Sequence, residues 1–216
     1  MKKRIFALLP LVFLCVTAMA QLQKGNILLG GALNYSTQSG DRSGGGLDIP
    51  TSYFTFSPKV GIFLKDNLAV GLNLLAQTNT SSYTSSGSNG YEYKSSTYGL
   101  GPFVRMYFPV GDQFAFFGQF DLGFQGGETE TVYENLNAQD SSSKIKVFQA
   151  STALGFSFFP KKWLSLDLSV NPLSYTHLVN EDTTQFDGAV TKSNTLDFGL
   201  NTSSILLGAH FFINKR

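Results

Sequence analysis

The chain has 216 residues, of which 14% are charged and 14% aromatic, with 20 Phe, 22 Gly and a mean hydropathy of zero. So little charge with so many aromatic residues argues against disorder, and the lack of a long apolar run beyond the N-terminus excludes a helical membrane protein. The formal net charge of +1 turns slightly negative once Lys2, Lys3 and Arg4 leave with the leader, so no basic surface for nucleic acid is expected.

The N-terminus reads as a secretory leader. Lys2-Lys3-Arg4 is a basic region, residues 5–16 are apolar, and Ala18-Met19-Ala20 is a small-x-small site. Cleavage is expected between Ala20 and Gln21, leaving residues 21–216 as one domain. The apolar run is shorter than the ~20 residues a membrane helix needs. Cys15 falls within the leader and follows Val12-Phe13-Leu14, where lipidation would want a small residue, so the mature chain is expected to have neither a lipid anchor nor a disulfide.

From residue 25 onward the sequence alternates. The first strand, residues 25–38, sets Ile27, Leu29, Leu33 and Tyr35 on one face and Asn26, Asn34 and Ser36 on the other, before a Gly-rich loop at 39–50. Residues 51–64 and 68–80 repeat the pattern around a tight turn at Lys65-Asp66-Asn67. The Ser/Thr-rich residues 79–96, with Tyr83, Tyr91 and Tyr93, read as a loop or as strand ends projecting past a membrane. Residues 97–125 then form a hairpin around 109–113. Tyr98, Leu100, Val104, Met106 and Phe108 share one face of its first strand, and Phe114, Phe116, Phe120, Leu122 and Phe124 one face of its second.

A polar loop at 126–144 precedes the sixth strand, 145–159, and after a turn at 160–163 comes the seventh, 164–177, with Leu164, Leu166, Leu168, Val170 and Pro172 on the apolar face. Residues 178–194 read as the last long loop. The eighth strand, about 195–213, opens with Leu196, Phe198 and Leu200 but resumes with Ile205, Leu207, Ala209 and Phe211, which is out of phase. Either a bulge lies in residues 201–204 or the strand begins near Ser203. Pro58, Pro102 and Pro172 fall in mid-strand, where each lacks a ladder donor, and local bulges are the expected accommodation.

The quality of the non-apolar face decides the orientation. A soluble sheet offers water Lys, Glu, Asp and Arg, whereas these strands offer mainly Gly, Ser, Thr, Asn and Gln, a set suited to a cramped interior. The apolar faces run for about ten residues, the length a tilted strand needs to cross a bilayer. The reading is therefore all-β: an eight-stranded antiparallel up-and-down transmembrane β-barrel, lipid outside and polar groups within. Short turns alternate with long loops, and aromatic residues gather at both strand ends, with Tyr35, Phe54, Tyr98, Phe124 and Tyr175 towards the loops and Phe63, Phe108, Phe114, Phe158, Trp163 and Phe211 towards the turns. A soluble lipocalin-type barrel would have to expose Gly71, Asn73, Gly99, Gly101, Gly123 and Gly155 while packing a Phe-rich set inside, more than that interior holds.

Leader, alternating strands, short turns and long loops together make the chain resemble the small outer-membrane β-barrels of Gram-negative bacteria, of the OmpA and OmpX type, over residues 25–216. The resemblance implies an outer-membrane location with both termini periplasmic, outer-membrane lipid and lipopolysaccharide as neighbours, a monomer, and a porin-like scaffold without a cofactor. The chain departs from the pattern by running on past Phe211-Phe212 through Ile213-Asn214-Lys215-Arg216, and it shows no peptidoglycan-binding domain.

Four charged residues fall on inward faces at membrane depth: Lys59, Arg105, Asp121 and Asp167. Each is costly unless paired, and an eight-stranded interior is just wide enough for side chains to fill, so a structural ion-pair network plugging the lumen is expected. The alternative is a narrow channel for small solutes lined by the same charges. A third option is a lipid-modifying enzyme using His177 with Ser174, Glu181 and Asp182 at the rim. Ser174 and His177, three apart on a strand, lie on opposite faces about 10 Å apart, which opposes it. His210 reads as lumen packing. Two His and no mature Cys leave no metal cluster in view, and the loop carboxylates Asp41, Asp48, Glu128, Glu130, Asp182 and Asp187 lack a regular calcium-loop spacing. The expected role is non-enzymatic, a structural or surface-interaction protein supporting envelope integrity or adhesion through a ligand met by its loops.

Overall fold

The computed structural model of the chain describes residues 20–38, 50–85, 88–133, 140–183, 189–199 and 206–214. The leader, the Gly-rich loop with Asp41 and Asp48, and Asp187 lie outside the described residues. A single 3₁₀ turn at Ala20–Leu22 leads into β1 (Ile27–Gln38), β2 (Thr51–Lys65), β3 (Leu68–Ser85), β4 (Ser88–Val110), β5 (Phe114–Tyr133), β6 (Ser141–Lys161), β7 (Leu164–Asp182), β8 (Val190–Phe198) and β9 (Leu206–Ile213). Consecutive strands β1 to β7 pair antiparallel, and the ring closes because β9 lies between β7 and β1.

Exposure follows the alternation of the sequence, and it runs the opposite way to a soluble sheet. Leu72 is 48% exposed, Leu100 56%, Phe116 55% and Leu166 50%, against 2% for Phe103 and 3% for Phe117 on the lumen side. An apolar surface wrapping a whole barrel is tolerable only against an apolar solvent. From Tyr98 to Phe108 on β4, and from Phe114 to Phe124 on β5, the outward band spans eleven positions, which at barrel tilt is about 26 Å, the height of a hydrocarbon core.

Among the described residues nine strands replace the expected eight because the last one is split. The phase conflict around residues 201–204 is resolved by two segments: β9 pairs with residues 164–169 of β7, and β8 with residues 173–181 of the same strand. β8 starts at Val190 rather than near Thr195, so part of the expected last loop is strand. Only residues 27–31 of β1 pair with β9, and among the described residues 32–38 of β1 pair with β2 alone. The loop at 126–144 is also shorter than read, and of the two readings of 79–96 the projecting strand ends are the ones found, since β3 to β6 continue well above the apolar band. Thr and Tyr there carry strand preference that the Ser-rich composition masks.

The three mid-strand prolines sit where the ladder lapses. Pairing of β2 with β3 skips Ser57 and Pro58, pairing of β4 with β5 skips Gly101 and Pro102, and β6 meets β7 through a register shift between Thr152 and Leu154 that takes up Pro172. That shift also moves the outward face of β7, so that Leu173 and Tyr175 face out after Val170, where strict alternation had put Pro172. At Gly101 a Cβ would lie 1.7 Å from the Leu122 carbonyl oxygen, so only glycine lets the two strands approach beside Pro102.

The core occupies the turn end of the lumen. Phe63, Phe103, Tyr107, Phe117, Phe159 and Phe212 are buried there with Leu28 and Leu22. Leu22 belongs to the segment before β1, tied to the β2–β3 turn by Asn67 N–H donating to the Leu22 carbonyl at 2.7 Å and Lys24 N–H to Asp66 Oδ1 at 2.8 Å, and held internally by Asn26 Nδ2 donating to the Gln21 carbonyl at 3.2 Å. Asn67 turns β2 into β3 at φ 66°, a left-handed conformation that Asn adopts more readily than most residues.

Candidate functional site

Above that aromatic layer lies a polar one, built by inward positions of β2 to β7 and β9. Arg105 of β4 is its hub. Its Nη1 lies 2.6 Å from Asp167 Oδ2 and donates to the Tyr107 hydroxyl at 3.1 Å, while Nε donates to Gln119 Oε1 at 2.5 Å. The guanidinium carbon sits 4.1 Å from the centroid of the Phe117 ring, a cation stacked on an aromatic face. Ser165 Oγ donates to Asp167 Oδ1 at 2.9 Å, and His210 Nδ1 comes within 3.0 Å of Asp167 Oδ2. Arg105, Asp167 and His210 are all buried. The second carboxylate, Asp121, accepts from Gln119 Nε2 at 2.7 Å on both oxygens and from Asn73 Nδ2 at 2.5 Å.

Three of the four expected charges thus lie in one connected network, Arg105 bonding Asp167 directly and Asp121 through the Gln119 amide. Lys59 stands apart. Among the described residues it joins no ion pair, and its Nζ lies 5.7 Å from the Phe103 ring centroid. The expected four-charge network therefore closes without Lys59: the Asp121 carboxylate is held by the Gln119 and Asn73 amides, which supply directed donors without a second desolvated charge. Alternation alone places Gln119 and Ser165 on the lumen face at the right depth. What it lacks is the register that sets His210 of β9 opposite Ser165 of β7, two residues from Asp167.

Over this floor opens a cavity of about 210 Å³, lined by Lys59, Asn73, Asp121, Gln125, Gln149 and Asn171 among others. Below it lie the buried rings of the aromatic layer.

Ser165, Asp167 and His210 have the residue types of a hydrolytic triad without its connections. Ser165 Oγ donates to the carboxylate instead of to the imidazole, and all three are too deeply buried to meet a substrate. At the rim, His177 points outward with Nδ1 2.8 Å from Asn194 Oδ1, while Ser174 is on the opposite face with Oγ 3.4 Å from Asp197 Oδ2. Glu181 is taken by Lys146 Nζ at 2.8 Å, which holds its carboxyl below the usual range. The rim residues are therefore not assembled for nucleophilic chemistry.

The chain matches the family model described as the outer membrane protein β-barrel domain over residues 6–211. It is also similar to the crystal structure of the outer membrane protein OprG from Pseudomonas aeruginosa, at 11% identity and a TM-score of 0.46, covering 91% of this chain and 100% of that one. No curated protein matches it.

Proposed function

The chain belongs to the outer membrane protein β-barrel family, which places it in the outer membrane, and from that premise we propose that it is a non-conducting, non-enzymatic barrel acting as a structural or surface-interaction protein. Both termini face the periplasm and the strand extensions of β3 to β8 face outward. The protein works as a monomer among outer-membrane lipid and lipopolysaccharide. The observation that carries the closed lumen is the double layer at the turn end: the Arg105–Asp167 pair with its hydrogen bonds, seated on rings from five strands and capped by Leu22. An open pore would keep such charges hydrated, whereas here they are spent on one another.

Liposome swelling tests it. Vesicles carrying the purified protein are expected to swell in small neutral solutes no faster than empty vesicles. Faster swelling would establish the competing reading, a narrow channel, which the cavity above the plug favours. In the same preparation Arg105→Gln is expected to lower the unfolding midpoint. Unchanged stability with altered conductance would show that Arg105 gates rather than holds.

A further inference from the structure

We propose that the inner face of the β3–β6 wall above the bilayer binds a neutral, polyhydroxylated ligand, a glycan without phosphate, sulfate or carboxylate groups. The proposal deepens the surface-interaction reading and rests on it. β4 continues about 25 Å beyond the Tyr98 girdle at barrel tilt, so both faces of this wall stand in the aqueous phase. Hydration gives no reason for the faces to differ, yet they do. All six charged residues of β3 to β6 in this region, Glu92, Lys94, Glu128, Glu130, Lys144 and Lys146, belong to the outward set that continues from Tyr98, Phe124 and Phe148.

The inward positions carry tyrosine and neutral hydrogen-bonding groups, with Ile145 and Val147 completing the face on β6. Tyr83 and Tyr91 stack at 4.3 Å between centroids and 14° between planes, and Tyr133 follows at 5.7 Å, giving an aromatic platform across three strands. Below it the buried hydroxyls of Ser81, Thr97 and Thr129 line the wall, and Asn79 Oδ1 is buried without a hydrogen-bond partner. Tyrosine offers an apolar ring and a polar tip in one rigid side chain, which matches the apolar faces and hydroxyl edges of a sugar ring. An anionic ligand would find no cation on this face, because Lys94, Lys144 and Lys146 all point away from it.

The full chain in detergent micelles, its folding checked by heat-modifiable gel mobility, is applied to an array bearing neutral, sialylated, sulfated and phosphorylated glycans of both bacterial-surface and animal type. Binding to neutral glycans is expected, and which of the two groups is bound identifies the source. Tyr91→Ser and Tyr83→Ser should lower it at least tenfold, Tyr91→Phe should retain it, and Lys94→Gln should leave it unchanged. Retention of no neutral glycan, retention undiminished in Tyr91→Ser, or binding of acidic glycans that depends on Lys94 or Lys144 would overturn the proposal. Swelling reads the closed lumen separately, so a conducting barrel that still binds neutral glycans would remove the plug and leave this site standing.

Discussion

The two halves of the lumen are made from the same alternation and solve different problems. At the turn end large apolar side chains and a hydrogen-bonded ion pair fill the interior, and rings from β2, β4, β5, β6 and β9 gather there. Towards the loops the same positions hold Ser, Thr, Gln and Gly, leaving a vestibule. A barrel of this size cannot be packed tightly and remain accessible at one height, so stability is concentrated at one end and recognition at the other.

Substitutions on the two sides should separate accordingly. The largest effect is expected at Asp167→Ala, which strands the buried Arg105 cation. Loss of one partner of such a pair costs about 3–5 kcal/mol, read as a fall in the denaturant midpoint of the detergent-solubilised barrel. A Cβ at Gly155 would lie 2.3 Å from Phe117 Cζ, the ring on which Arg105 stacks, so Gly155→Val should cost about 1–3 kcal/mol by the same measurement. Lys59→Met sharpens the comparison, because Lys59 shares face and depth with Arg105 but joins no ion pair among the described residues. Replacing a half-buried cation outside any ion pair with an apolar chain of similar length should leave the midpoint unchanged or raise it.

Smallest of all is Glu181→Gln in the exposed loop half. Lys146 holds the folded carboxyl below its ordinary value, so its stabilisation is present above the ordinary carboxylate pKa and is lost as pH falls through the folded value. Because the pair faces solvent, the wild type and Glu181→Gln should have the same midpoint at pH 7 in high salt, with any difference confined to low salt. A large effect there, or none at Asp167, would erase the distinction between the halves.

Strand order, the inside-out orientation and the depth of Lys59, Arg105, Asp121 and Asp167 were determined by sequence alone, because a period of two assigns every residue to a face and lipid or lumen then selects its chemistry. Alternation is a local property, and it lost count at the β7 register shift beside Pro172 and where the last strand pairs as two segments. Which lumen charges meet was decided by the tertiary structure. Asp167 finds Arg105 and His210 through the register of strands distant in the chain, while Lys59 is left over an aromatic ring. The stopper formed by Leu22 and the aromatic platform of Tyr83, Tyr91 and Tyr133 likewise exist only once strands far apart in sequence are set side by side. Hydrogen-bond register, which no single strand encodes, places them.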